Sequence, residues 1–171
     1  MSRPERNTDE RLKVYETFAH DLIRNHEWDG AARRIVRVLV PIDFSVCSMW
    51  ALRHAEEVAR RFGAELILVH VDPLLMLGSE LGPARETTTR KELDGLVALL
   101  RDRGMAAWGV LLGGAPIDEI TKAAKAEHAD LIVMGTHGRT GLAHALIGSV
   151  AESVLRKSSC PVLTVRHAVE R

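Results

Sequence analysis

Between Gly135 and Ser149 the chain reads GTHGRTGLAHALIGS, four glycines in fifteen residues, directly after the apolar run Asp130-Leu131-Ile132-Val133-Met134. Glycine in place of alanine costs about 0.5–1 kcal/mol per position, so a cluster this dense implies a specific use of the backbone. Gly135 ends the apolar run and lets the chain turn. Gly138 and Gly141 allow successive amides to point the same way, which makes a nest for an anion, with phosphate as its natural guest. The segment then delivers Gly148-Ser149 to the start of a helix, where unpaired N–H groups, the positive end of the helix dipole and the Ser149 hydroxyl converge. Arg139, joined by His137 at acid pH, adds positive charge nearby. A plainer reading stays open at this level: a glycine-rich surface turn with Ser149 as a simple N-cap. Two familiar phosphate-binding patterns fail on spacing, since no GxxxxGK[ST] is present and no GxGxxG opens the helix after the first strand.

Those residues need elements to position them. The chain has 171 residues, 46% of them hydrophobic and 27% charged, which suits one good core and hardly two. Lys plus Arg and Asp plus Glu both number 23, so no global field favours nucleic acid or an anionic membrane, and any anion site is local. The N-terminus has no apolar h-region and no stretch approaches the ~18 apolar residues of a membrane span, so a cytoplasmic protein is expected. Cys47 and Cys160 stand far apart without a CxxC pattern, which argues against a disulfide framework and a structural zinc site.

Residues 1–34 read as a helical extension. Leu12, Tyr15, Phe18, Ala19, Leu22 and Ile23 recur at the helical period, with Asn7 or Thr8 as cap, and the amphipathic helix is expected to dock on the domain or on a second subunit. From residue 35 to 171, Val/Ile/Leu-rich runs alternate with helical patterns. Strands are expected at Ile35–Val40, Ala64–Val71, Met105–Leu112, Asp130–Met134 and Pro161–Val165, and their near-continuous apolar character suits a parallel sheet covered on both faces. The first helix turns Leu52, Ala55, Ala59 and Phe62 inward and stops at Gly63. The second turns Leu93, Leu96, Val97 and Leu100 inward and stops at Gly104. A third begins at Pro116 with Ile117, Ile120 and Ala124 inward, and a fourth follows Gly148-Ser149 with Val150, Val154 and Leu155. This order predicts a doubly wound α/β fold: a five-stranded parallel sheet, strand order 3-2-1-4-5, with helices on both faces. Ligands of such sheets bind beyond the carboxyl ends of the strands at the switch point. With strands 1 and 4 adjacent there, Pro41-Ile42-Asp43-Phe44-Ser45 and the glycine segment line one crevice, a carboxylate opposite a glycine loop.

Gly135-x2-Gly138-x9-Gly148-Ser149, Asp43 in Pro-Ile-Asp-Phe-Ser, His70-Val71 at the end of strand 2 and the closing Cys160-Pro161-Val162-Leu163-Thr164-Val165 together resemble the universal stress protein family. The similarity runs from about Ile35 to Arg166, and the glycine pattern is the form associated with that family's ATP-binding branch. The resemblance implies that Asp43, in the segment beginning at Pro41, contacts the adenosine part of ATP and that Ile42, Val71 and Met134 wall the base. It also implies that Gly135, Gly138, Gly148, Ser149 and Val150 wrap the ribose and phosphates, beside Arg139. Simple chemistry agrees, because a carboxylate accepts hydrogen bonds from ribose hydroxyls and repels phosphate. A cap on the following helix is the alternative role for Asp43, and Ser45 could equally supply it. The family pairs as dimers through the last strand, so a homodimer through Pro161–Val165 is expected.

Turnover of ATP needs a positioned water, a base and a cation on the terminal phosphate. No dedicated set is visible: the eight histidines show no HExxH and Ser45 lacks a GxSxG context. The expectation is a regulatory stress-response protein, not an enzyme, that holds ATP, with Mg²⁺ as counter-ion. A slow ATPase or a protein that phosphorylates itself at Ser149, Thr136 or Thr140 is one alternative. A nucleotide-free stress protein that binds partners through its N-terminal helix is another. The Asp72–Pro83 connection is long enough, with Gly78 and Gly82, to serve as a lid.

Overall fold

The computed structural model describes residues 34–76, 82–137 and 147–166. The N-terminal helix, Gly138, Arg139, Gly141 and the centre of the Asp72–Pro83 connection lie outside the described residues. Every expected strand forms. In chain order the elements are β1 (Arg37–Pro41), α1 (Val46–Phe62), β2 (Glu65–Asp72), a 3₁₀ turn (Pro73–Met76), α2 (Gly82–Asp102), β3 (Ala107–Gly113), α3 (Pro116–Ala126), β4 (Leu131–Gly135), α4 (Ser149–Lys157) and β5 (Val162–Val165). All pairings are parallel and the sheet order is β3-β2-β1-β4-β5, as the alternation of patterns predicts.

The side-chain period of a strand, two, divides the core. Val38 and Val40 face α1 and α2 together with Leu66, Leu68 and Leu93, whereas Leu39 faces α3 and α4 together with Ile67, Ile120 and Val154. Each face is thus a separate apolar layer, and the inner strands β1, β2 and β4 are buried on both. The strands begin one or two residues later than their apolar runs. Asp130, just ahead of β4, has a reason of its own: its carboxylate accepts from the amides of Val36 and Arg37 and fixes the entry of β1.

The helices stop where the sequence says. Gly63 caps α1 at φ 65°, and α2 ends just before Gly104 at φ 76°. Two expected core residues are exposed, and Leu96, Ile117 and Val150 are half-buried. Phe62 is 47% exposed, because Ala64, beyond the cap, takes the buried place at that end of α1. Leu155 is 42% exposed beside a fully buried Val154, since neighbours on a helix point about 100° apart and Val154 holds the inward position.

Candidate functional site

β1 lies between β2 and β4, so the chain leaves β1 and β4 in opposite directions and opens a crevice beyond their carboxyl ends. A cavity of about 260 Å³ occupies it. That is just under the roughly 300–1,000 Å³ typical of small-molecule sites. Pro41, Ile42 and Asp43 line it after β1, Val69 and Val71 from β2, Met134 to His137 at the end of β4, and Gly148 to Ala151 at the start of α4, with Ser48, Pro116 and Ile120 completing the wall.

The start of α4 is part of this lining. Gly148 occupies the N-cap and offers no side chain to the first-turn amides. Ser149 follows the cap position, which removes the reading of Ser149 as a simple N-cap. The glycine is required by contact: its amide donates to the Thr136 carbonyl oxygen at 2.7 Å, and a Cβ would lie 2.9 Å from that same oxygen. Gly135 is required for the same kind of reason. A Cβ there would meet the backbone carbon of Cys47 at 2.9 Å, so its absence lets α1 lie close on β4. Turning is therefore not what these two glycines supply, and the φ of Gly148 is an ordinary −71°.

Asp43 lines the same cavity. Its Oδ1 accepts from the Ser45 amide at 3.0 Å and from the Ser45 hydroxyl at 2.5 Å. The Ser45 hydroxyl in turn accepts from the Ser48 amide, so Ser45 is the N-cap of α1 and Asp43 is not. This turn places Phe44 at φ 62°, a conformation that costs an aromatic residue on the order of 1–3 kcal/mol. Ile42, buried between, donates its amide to the Val69 carbonyl oxygen and accepts from His70 Nδ1 at 2.6 Å. Just past this wall, Asp72 ends β2. Burial pushes its carboxyl up, but hydrogen bonds from Arg85 and the Leu74 amide, with the charge of Arg85, outweigh burial and hold it below the ordinary carboxylate value.

The structure thus brings together Pro41, Ile42, Asp43, Val71, Met134, Gly135, Gly148, Ser149 and Val150, as expected; Gly138 and Arg139 lie outside the described residues. Ser48, Val69, Pro116, Ile120 and Ala151 were not foreseen in the lining. Thr136 and His137 sit inside the glycine motif and share a contact of 3.0 Å between Oγ1 and Nδ1, so their position in the motif was itself a signal. Chemically, the crevice offers a carboxylate, apolar walls and a helix start without a side-chain cap.

The profile of the universal stress protein family matches residues 35–166. The chain belongs to the universal stress protein family. Among curated relatives, Universal stress protein MJ0531 of Methanocaldococcus jannaschii is 38% identical over 164 residues, covering 91% of this chain and 92% of the relative. Residues 35–171 alone cannot supply that coverage, so the similarity to MJ0531 reaches into the N-terminal extension, beyond the segment that carried the motifs. The solved structure of MJ0577, from the same organism, superposes with a TM-score of 0.73 at 32% identity, covering 80% of this chain and 99% of that one. The universal stress protein of Archaeoglobus fulgidus in complex with dAMP superposes with a TM-score of 0.59 at 27% identity, covering 77% and 98%. This universal stress protein therefore shares its parallel α/β fold with structurally known members of its family.

Proposed function

We propose that this universal stress protein holds ATP, with Mg²⁺ as counter-ion, in the crevice between β1 and β4, as a regulatory ligand with little or no turnover. The observation that carries the reading is that the uncapped start of α4 and Asp43 line one cavity. Amides of the first turn suit phosphate oxygens, and the helix dipole adds favourable potential there. Gly135, Gly148, Ser149 and Val150 wrap the phosphates, joined by Gly138 and Arg139. Asp43, pre-oriented by Ser45, accepts from the ribose hydroxyls, and Ile42, Val71 and Met134 wall the adenine. The dAMP complex of the Archaeoglobus fulgidus neighbour supports an adenine nucleotide as guest. A ligand role is favoured over hydrolysis because the acidic side chain of the first turn of α4, Glu152, is engaged by Arg156 at 2.7 Å, and Asp43 belongs to the nucleoside end. In this reading residues 35–171 form the nucleotide-binding domain of a homodimer and residues 1–34 a helical extension.

Ser149→Glu separates binding from folding. A carboxylate in the first turn of α4 interacts favourably with the helix dipole, so the fold is kept or slightly strengthened, while phosphate meets a like charge. In calorimetric titration of nucleotide-stripped protein with ATP and Mg²⁺, the wild type should bind one ATP per subunit, and the variant at least tenfold more weakly, with its affinity for adenosine retained. Equal ATP affinity in the two proteins would remove α4 from the phosphate site, and no binding by the folded wild type would remove the reading altogether.

A further inference from the structure

β2 is apolar from Leu66 to Val69, and then places a histidine, 6% exposed, where its neighbours on that face are core residues. Val69 and Val71 line the cavity, and by strand alternation His70 points to the other side of the sheet. There its Nδ1 donates to the Ile42 carbonyl oxygen at 2.6 Å; the oxygen only accepts, so Nδ1 carries the hydrogen. Its ring meets that of Phe44 with centroids 4.9 Å apart and planes tilted by 42°. His70 thus grips both residues that flank Asp43, and one of them, Phe44, stands in the left-handed conformation that an aromatic side chain does not keep unaided.

We propose that His70 is a positioning residue: from behind the sheet it holds the turn 42–45 in the strained form that presents Asp43 to a ribose. The proposal rests on the nucleotide reading of the crevice, yet the turn itself is open to measurement without any ligand. A leucine at 70 would fill the same space and leave the Ile42 carbonyl without its donor, whereas an asparagine restores an N–H close to Nδ1.

The test compares wild type, His70→Leu and His70→Asn by amide hydrogen exchange without ligand and by calorimetric titration with AMP and with inorganic tripolyphosphate. In His70→Leu the Ser45 amide, the donor to Asp43, should exchange about tenfold faster while the Leu39 amide in the centre of the sheet is unchanged. AMP should bind about tenfold more weakly and tripolyphosphate equally well, since one buried hydrogen bond corresponds to roughly that factor. His70→Asn should behave as wild type in each measurement. An unchanged Ser45 amide in His70→Leu would overturn the proposal. So would equal acceleration at Ser45 and Leu39 with no rescue by asparagine, because His70 would then only stabilise the core. If the wild type binds neither probe, the nucleotide reading fails, and the Ser45 exchange alone decides whether His70 holds the turn.

Discussion

Gly135 and Gly95 are both exempt from a side chain, for opposite reasons. At Gly135 a Cβ would press on the backbone of Cys47 at 2.9 Å, and backbone cannot swing away as a side-chain end can. At Gly95, on the exposed side of α2, a Cβ meets nothing within 4 Å. Gly135→Ala should therefore destabilise by about 1–3 kcal/mol, as overpacking does, and Gly95→Ala should stabilise by about 0.4–1 kcal/mol through the unfolded chain and helix propensity. Urea unfolding of both variants checks the pair, and equal shifts would show that Gly135 is not in close contact with α1. The need for glycine at 135 and 148 was legible in the sequence, but its cause was not. Local spacing suggests a turn, whereas the contacts are with Cys47 and Thr136, the first 88 positions away. Phe44 was likewise illegible, because nothing in Pro-Ile-Asp-Phe-Ser announces a left-handed aromatic residue until His70 is placed beside it.

An element is held by its ends, and β2 shows how much charge that takes. Asp72 at its carboxyl end is 2% exposed and is met by Arg85 from the first turns of α2 and by the Leu74 amide, which ties the strand to the helix that follows it. Its carboxyl is held below the usual value of 3.8, so its contribution to stability is present above that pH and lost as pH falls through the lower folded value. Arg85 is 42% exposed, and solvent screening trims the Coulomb part of the pair. Asp72→Asn should then be less stable than wild type at pH 7, with the gap closing below about pH 4; denaturant midpoints at pH 7, 5 and 3 measure it, and a constant gap would show that the carboxylate charge plays no part. At this scale the order of elements was readable from apolar runs and their glycine stops, since each run must find a neighbour. What was not readable was that α3 walls the crevice. Pro116 and Ile120 reach it because α3 packs beside α4 on the same face as Leu39 and Val69, a consequence of helix placement rather than of any pattern within residues 116–126.

Among the described residues β5 is an edge of the sheet, and its hydrogen bonds say which groups face away from β4. The Pro161 carbonyl accepts from the Ile132 amide and the Val165 carbonyl from the Thr136 amide, so residues 161, 163 and 165 face β4. Val162 and Thr164 consequently direct their N–H and C=O groups toward the open edge. A two-fold axis near Leu163 would set Val162 of each copy opposite Thr164 of the other, an antiparallel pairing that satisfies both, and Leu163, 42% exposed, would gain cover. Proline is tolerated on an edge strand when the lost N–H faces outward. Thr164→Pro should accordingly leave the sheet intact and convert a dimer into a monomer, whereas Thr164→Val should remain dimeric. Light scattering at micromolar concentration distinguishes them, and a monomeric wild type would remove the dimer outright. Because the cavity lining falls between Pro41 and Ala151 of a single chain, the monomeric variant should still bind ATP. Loss of binding on dissociation would instead mean that pairing through β5 shapes the crevice, through Thr136, whose amide is bonded to Val165 and whose carbonyl holds Gly148.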